Sequence, residues 1–397
     1  VDGTESSRST PMIETVLIAV LGASSLLAAH SYVLYPLALY GFVAAGRGSN
    51  PDRTGDLPTV SLVVAAYNEE EVIAEKIENS LELDYPEDRL EIVVFSDAST
   101  DRTDEIVRSY EDSGVSLLRI EGRVGKTECQ NRAVAATDGE VIVFSDANSM
   151  YEPDAIRHLV AGFGEGVGCV AGELQYRDES EVEGESMYWR YESWIKGLES
   201  AFHSTVTGNG SIYAVRRSAY VPLPAEAISD FAEPLAIVGE GGRIAYEPDA
   251  VAWEDTGTSV GEELGRRSRI VTRSWHTVAS YAHLLNPLSY PTFAFQLWSH
   301  KVLRWLTPVF LGAILVSTLG LVAVSPSPLS VAVLGAQLVC YGLAAAGAAL
   351  DRAGRETPTV VHVPYYFLVA NYGMARGLAN FLHGRNIVTW ETVSRDD

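Results

Sequence analysis

Val60-Ser61-Leu62-Val63-Val64-Ala65 is a short apolar run that leads through Ala66 into Tyr67-Asn68-Glu69. A helical stretch follows to about Leu83. Leu90 to Phe95 is a second apolar run, and it ends in Ser96-Asp97. Thr103 to Tyr110 reads as a helix opened by the Ser99-Thr100-Asp101 cluster, whose side-chain oxygens suit a helix N-terminus. Val115 to Ile120 predicts a third strand, Thr127 to Thr137 a helix, and Val141 to Phe144 a fourth strand ending in Ser145-Asp146. Strands alternating with helices predict parallel βαβ units, hence an α/β fold. Burial on both faces explains why these strands are continuous apolar runs rather than alternating ones.

Glu69, Asp97 and Asp146 each follow one of these strands. In open α/β sheets ligands bind in the crevice outside the carboxyl ends of the strands. One such carboxylate would be read as a helix cap; three in succession point to a shared site. Asp146-Ala147-Asn148 is a D-x-N turn whose carboxylate and carboxamide oxygens can face one cation, and Mg²⁺ is held by one or two carboxylates plus substrate phosphates. Such turns are also common as purely structural features. Gly125-Lys126 falls at a predicted helix N-terminus, where backbone N–H groups and an ammonium both favour a diphosphate. Neither GxxxxGK[ST] nor GxGxxG occurs, which removes support for a P-loop NTPase or a dinucleotide enzyme.

The chain has 397 residues and 43.0 kDa, with 47% hydrophobic residues and a mean hydropathy of +0.07. These values predict a soluble domain joined to membrane spans. Asp plus Glu number 52 against 29 Lys plus Arg, a net charge of -23. Such acidity excludes non-specific nucleic-acid binding and docking on anionic lipid by charge alone. Lysine is confined to Lys76, Lys126, Lys196 and Lys301. An acidic, Lys-poor surface fits work in concentrated salt, where repulsion is screened. Cys129, Cys169 and Cys340 stand far apart, without the spacing of a disulfide framework or a zinc site.

Residues 15–46 carry no Asp, Glu, Lys or Arg. About 20 apolar residues span a bilayer core, so this run spans once, with tilt or a kink near Pro36. Its length and acidic N-terminal flank favour a retained anchor over a cleaved signal peptide. Residues 305–350 are free of charge, and Pro326 and Pro328 predict two helices joined by a tight turn. Lys301 and Arg304 before the pair, and Arg352 and Arg355 after it, place both ends in the cytoplasm by the positive-inside rule. A third apolar run, 357–375, holds Asn371 and is followed by Arg376, Arg385 and Arg395; it is either a further span or a helix lying in the interface. Residues 293–304, with Trp298, read as an interfacial helix, and 47–56 as a linker. The expected organisation is a transmembrane anchor at 12–46, a cytoplasmic domain at 57–290, and an interfacial helix with transmembrane helices at 291–384.

Eight stretches complete a pattern. Ala65-Ala66-Tyr67-Asn68-Glu69, Ser96-Asp97-Ala98-Ser99-Thr100-Asp101, Gly125-Lys126 through Asn131, and Asp146-Ala147-Asn148 occur in order. They are followed by Thr207-Gly208-Asn209-Gly210-Ser211, Ser229-Asp230-Phe231, Tyr246-Glu247-Pro248-Asp249-Ala250 and Arg266-Arg267-Ser268-Arg269-Ile270. Together they resemble the successive motifs of glycosyltransferase family 2, over about residues 57–275. The resemblance implies a GT-A (Rossmann-like) nucleotide-sugar-binding domain flanked by transmembrane helices, and, with the composition, a halophilic archaeal source. It implies an inverting transfer from a nucleotide-diphosphate sugar, a UDP-sugar first among them, to a lipid-linked glycan or growing polysaccharide at the cell membrane.

By the same resemblance Tyr67 stacks on the base, and Glu69 and Asp97 hydrogen-bond base or ribose. Lys126 contacts the nucleotide or its diphosphate. Asp146 engages the donor and a Mg²⁺ or Mn²⁺ ion, with Asn148 in the place of a second carboxylate, one negative charge fewer at the metal. Asp230 is the general base, with Glu233 as its competitor, and Arg266 and Arg269 neutralise the leaving diphosphate. In processive relatives a Q-x-x-R-W motif stands here, but Arg266 fills the Gln position, Ile270 the Trp position, and Trp275 lies beyond. Single-sugar transfer therefore stands beside chain growth. Trp189, Trp194, Tyr188 and Tyr191 line an acceptor channel or pack on the membrane face, His203 is structural, and Asp101 caps a helix. The alternative is a non-catalytic nucleotide-sugar- or glycan-binding subunit; the presence of both Asp146 and Asp230 weighs against it. A transporter is excluded by too few spans.

Overall fold

The computed structural model describes residues 4–47, 57–177, 183–255, 260–355 and 357–385. The expected linker beyond Arg47, the Tyr188 side chain and Arg395 lie outside the described residues. Helix α1 (Thr4–Ala29) passes through a π-helical turn, His30–Leu34, into α2 (Tyr35–Phe42). Pro36 has no N–H, so the Tyr32 carbonyl loses its helical partner. Tyr191 Oη donates to that carbonyl at 2.6 Å. The irregularity expected near Pro36 is thus a π-turn whose freed acceptor is used by a side chain from the α/β domain.

The predicted alternation appears as β1 (Val60–Ala66), α3 (Ile73–Leu81), β2 (Leu90–Asp97), α4 (Thr103–Arg108), β3 (Val115–Ile120), α5 (Lys126–Ala135) and β4 (Val141–Asp146). Strand β1 pairs in parallel with β2 and β4, and β2 with β3. Every residue of β1 is buried. Leu62 and Val64 share one core with Ile73 and Ile77 of α3; Val63 and Ala65 share the other with Cys129 and Ala133 of α5. That two-sided burial demands the unbroken apolar run.

Beyond β4 come β5 (Met150–Tyr151), α6 (Ala155–Ala161), β6 (Val167–Tyr176), α7 (Glu183–Phe202), β7 (Ile212–Arg216), α8 (Ser229–Gly239), β8 (Arg243–Glu254) and α9 (Val260–Ser280). They complete an eight-stranded sheet of order β3-β2-β1-β4-β7-β6-β8-β5. The parallel pairing expected of the βαβ units holds from β1 to β4, and the later strands make the sheet mixed. β7 is antiparallel to both β4 and β6, and β5 is antiparallel to β8. The chain builds β2 and β3 on one side of β1 and then crosses to β4 on the other. This switch point opens a crevice outside the carboxyl ends of β1 and β4.

The C-terminal part comprises α10 (Pro291–Leu297), a π-turn at Trp298–Val302, α11 (Leu303–Trp305), α12 (Thr307–Val324), α13 (Pro328–Arg352) and α14 (Thr359–Leu382). The two-proline turn does separate two helices: Ser327 Oγ accepts the Ser330 N–H at 3.1 Å and Pro328 stands at the first turn of α13. Among the described residues three segments are long and apolar enough to cross a membrane: Pro11–Gly46, Thr307–Val324 and Pro328–Arg352. Helix α14 is a connector. A Cβ at Gly347 of α13 would come within 2.7 Å of Tyr365, and one at Gly377 within 2.7 Å of Val271 of α9. Glycine at both crossings lets α14 lie close to the apolar hairpin and to α9 of the α/β domain.

A buried polar cluster joins the N-terminal helix, α7 and α11. Glu199 accepts from Tyr35 Oη and lies 2.8 Å from His300 Nδ1, while His300 Nε2 lies 3.1 Å from Glu192. Arg304 pairs with Glu192. Burial raises the Glu192 carboxyl, but the Arg304 and His300 charges overcome it and hold the group well below the usual carboxylate range.

Candidate active site

The turns at the carboxyl ends of the first strands are tied together and locally strained. Asn68, Ala98 and Arg123 adopt positive φ values of 52°, 58° and 51°, a conformation that costs a non-glycine residue energy. Asn68 Oδ1 accepts the Thr100 N–H at 2.8 Å, and the Glu69 N–H donates to Thr103 Oγ1 at 2.8 Å. Asp101 Oδ1 accepts the Thr103 N–H at 3.0 Å, the capping role expected of it. The half-buried Glu69 therefore stands on a turn fixed to the end of β2.

Asp97 is fully buried. Its carboxylate accepts the Val124 N–H at 2.8 Å, the Gly125 N–H at 3.1 Å and Arg123 Nη1 at 3.1 Å. The sequence predicts Asp97 at base or ribose; the structure engages both of its oxygens with residues 123–125. Asp97 thereby shapes the loop that delivers Lys126, with Gly125 supplying the φ of 94° at the turn. Arg123 also lays its guanidinium 3.3 Å from the centre of the Tyr67 ring. Arg123 was not singled out by sequence, although it directly precedes Val124-Gly125-Lys126.

Lys126 Nζ pairs with Asp146 Oδ1 at the end of β4. Asn148 is half-buried and makes no hydrogen bond among the described residues. Behind this turn, the fully buried Lys76 of α3 donates to the Ser149 carbonyl and lies 3.8 Å from the centre of the Tyr151 ring. Burial pulls the Lys76 ammonium down to about 7, with the charges of Asp146 and Glu254 opposing. Glu254, the last residue of β8, accepts from Ser149 Oγ and Ser211 Oγ, each at 2.5 Å. Burial first, and then the Asp146 charge, raise the Glu254 carboxyl; the two serines and Lys126 oppose. Glu254 escaped the sequence reading, yet it carries the signal that identified Glu69, Asp97 and Asp146: an acidic residue closing an apolar strand.

Asp230 opens α8 and reaches the same place. The Gly208 N–H donates to its carbonyl at 2.7 Å. Asp230 Oδ2 and Lys126 Nζ lie 3.4 Å and 3.7 Å from the point that a Cβ at Gly210 would occupy. The absent side chain at 210 is what leaves the acid, the lysine and Asp146 facing one gap. Glu233 does not share it. It is 1% exposed, accepts the Val221 N–H at 3.1 Å, and is pushed by burial up to about 8.

Arg266 and Arg269 stand one turn apart on α9, both half-buried. Arg269 acts electrostatically on Arg273, which Asp230 also reaches; burial pulls Arg273 below the ordinary guanidinium value, Asp230 opposes, and Arg269 adds to the lowering. Arg273 was missed, though its i+4 spacing from Arg269 puts it on the same helix face. Trp275 packs 5.5 Å from Trp305 and 5.9 Å from Phe381, in the core. The His203 backbone carbonyl accepts Arg243 Nε at 2.9 Å.

A mixed sheet with this switch point and a lysine–carboxylate cleft at its carboxyl ends defines the GT-A class of α/β fold. Residues 61–221 match the family model Glycosyl transferase family 2. The chain is 30% identical over 212 residues to a beta-monoglucosyldiacylglycerol synthase of Nostoc sp., covering 51% of this chain and 43% of that one. It is 24% identical over 266 residues to a poly-beta-1,6-N-acetyl-D-glucosamine synthase of Staphylococcus epidermidis, covering 62% and 64%. The chain spans about half the length of the first curated relatives it matches. The fold is also that of a mannosyltransferase from Pyrobaculum calidifontis solved with GDP-Man and Mn²⁺: TM-score 0.71, 22% identity, 93% of this chain and all of the other.

Proposed function

We propose that this chain is a membrane-bound inverting glycosyltransferase that moves one sugar from a nucleotide-diphosphate sugar to a lipid-linked glycan or a growing polysaccharide. The observation that carries the reading is the convergence of Lys126, Asp146 and Asp230 around Gly210. The acceptor hydroxyl gives its proton to Asp230 as its oxygen bonds the anomeric carbon. The bond from that carbon to the diphosphate oxygen breaks on the opposite face, which inverts the centre. Lys126, Arg266 and Arg269 stabilise the charge that develops on the departing diphosphate. Tyr67 and Arg123 offer an aromatic face and a guanidinium to the base, with Glu69 beside them.

The donor set fits a divalent ion. In this structure the Lys126 ammonium already sits on Asp146 as a cation, and the Asn148 carboxamide beside it is unengaged. Asp146 and Asn148 would hold Mg²⁺ or Mn²⁺, which supplies charge neutralisation at the diphosphate. The known donors and acceptors of similar proteins support this class without choosing among sugars. Departure of Arg266 and Ile270 from the processive motif favours a single transfer.

The reading includes the arrangement in the membrane: an anchor at 12–46, the catalytic domain at 57–290 on the cytoplasmic side, and the helices of 291–384. The three apolar segments and the basic residues at both ends of the α12–α13 hairpin support it. The acidic surface supports a high-salt, halophilic setting. The test is a panel of labelled nucleotide sugars with the full chain in detergent or vesicles, alongside Asp230→Asn. The expected result is Mn²⁺- or Mg²⁺-dependent transfer by wild type, lowered about 10²- to 10⁴-fold in the variant. Donor binding without any transfer would favour the binding-subunit alternative. Near wild-type transfer by Asp230→Asn would remove Asp230 as the base.

A further inference from the structure

The turn carrying Asp146 and Asn148 is held from behind by a residue on a distant strand. Glu254 Oε1 accepts both the Ser149 and the Ser211 hydroxyl at 2.5 Å. Ser149 closes the Asp146–Asn148 turn, and Ser211 directly follows Gly210, the residue that keeps the cleft open. One carboxylate oxygen therefore fixes two walls of the site. Glu254 Oε2 makes no hydrogen bond or ion pair among the described residues. Pairing of β5 with β8, Met150 opposite Trp253, holds Glu254 in register with the turn. Lys76 completes the support by donating to the Ser149 carbonyl. Ser149 is fully buried, so its hydroxyl has no water to replace Glu254.

We propose that Glu254 is a positioning residue of the donor site: acting through Ser149 and Ser211, it sets the shape of the Asp146–Asn148 turn, and its charge makes up for the carboxylate that Asn148 lacks. The proposal rests on reading this cleft as the seat of a divalent ion and a diphosphate. Outer-shell partners of this kind commonly control metal affinity by 10- to 100-fold. A carboxamide at 254 can still accept both serine hydroxyls but carries no charge. Glu254→Gln thus removes the charge and keeps the scaffold, and Ser149→Ala with Ser211→Ala removes the scaffold and keeps the charge.

The experiment titrates Mn²⁺ into the full chain in detergent, alone and with UDP or GDP, and follows free Mn²⁺ by its electron paramagnetic resonance signal. No turnover is needed. The expected result is Mn²⁺ binding weakened about tenfold or more in Glu254→Gln, a further loss in Glu254→Ala, weaker binding in the double serine variant, and partial recovery in Glu254→Asp. Thermal midpoints report folding, and should the alanine variant fail to fold, Glu254→Gln decides. Mn²⁺ affinity within twofold of wild type in folded Glu254→Gln and in the double serine variant overturns the role of Glu254 and leaves the donor site standing. Failure of the wild-type chain to bind Mn²⁺ under all three conditions overturns the donor-site reading, and this inference with it.

Discussion

The Gly208 N–H donates to the Asp230 carbonyl at 2.7 Å, and a Cβ at 208 would stand 3.0 Å from that same oxygen. The loop before β7 and the first turn of α8 therefore hold each other by direct backbone contact. The carboxylate proposed as base is aimed by a residue more than one element away in sequence. A side chain at 208 would press on that carbonyl, which would have to give by a few tenths of an ångström to admit it.

Gly208→Ala should push Asp230 away without removing any polar group. Transfer is expected to fall about 10²-fold, the scale on which small misplacements act, while nucleotide binding is retained. Labelled-sugar transfer and nucleotide binding, measured on the same preparation, check this. An unchanged rate would show that the contact does not aim the base.

Glu233 should give stability a measurable slope with pH. Its folded value of about 8 lies above the ordinary 4.5. Between those values the folded state keeps a proton that the unfolded state has released, so stability falls as pH rises through the window. The slope contributed is at most about 1.4 kcal/mol per pH unit. Glu233→Gln keeps an acceptor for the Val221 N–H and cannot ionise. Its thermal midpoint, relative to wild type, should rise steadily from pH 5 to pH 8; a constant difference would contradict this.

Arg304→Met should strand the Glu192 charge in a buried setting. Breaking such a pair by removing one partner costs about 3–5 kcal/mol. A large drop in thermal midpoint in detergent is expected, and Glu192→Gln in the same chain should recover part of it. If the single and double variants melt alike, the loss does not come from the stranded charge.

Salt should stabilise the whole chain. At -23 the acidic groups repel one another, and the screening length shrinks from about 10 Å at 0.1 M to about 3 Å at 1 M salt. Circular dichroism across a salt series should show loss of structure in dilute buffer. Full structure and activity at low salt would remove the high-salt reading.

The first four strands were legible because each is a continuous apolar run buried on both faces, closed by polar residues. The later half of the sheet was not. β8 is interrupted by Glu247-Pro248-Asp249, where its register with β6 shifts, so its apolar residues come as short pieces. That interruption hid Glu254 at the strand's end. The helices long and apolar enough to cross a membrane were legible from length and lack of charge alone. The polar cluster that fastens them to the α/β domain was not, because Tyr35, Glu192, Glu199, His300 and Arg304 come from three separate segments.

Local sequence determined where strands end, which segments suit a bilayer, and that carboxylates gather at one edge of a sheet. Each of these follows from short-range periodicity and the cost of burying polar backbone. Tertiary structure decided what each carboxylate does. Asp230 faces the gap beside Lys126 while Glu233, on the same helix, is sealed in the core beneath Val221. Asp97 turns inward to hold residues 123–125 while Asp146 meets Lys126. The physical reason is that a side chain's partner and its desolvation depend on how distant elements pack around it, and nothing in its neighbours along the chain encodes that rotation.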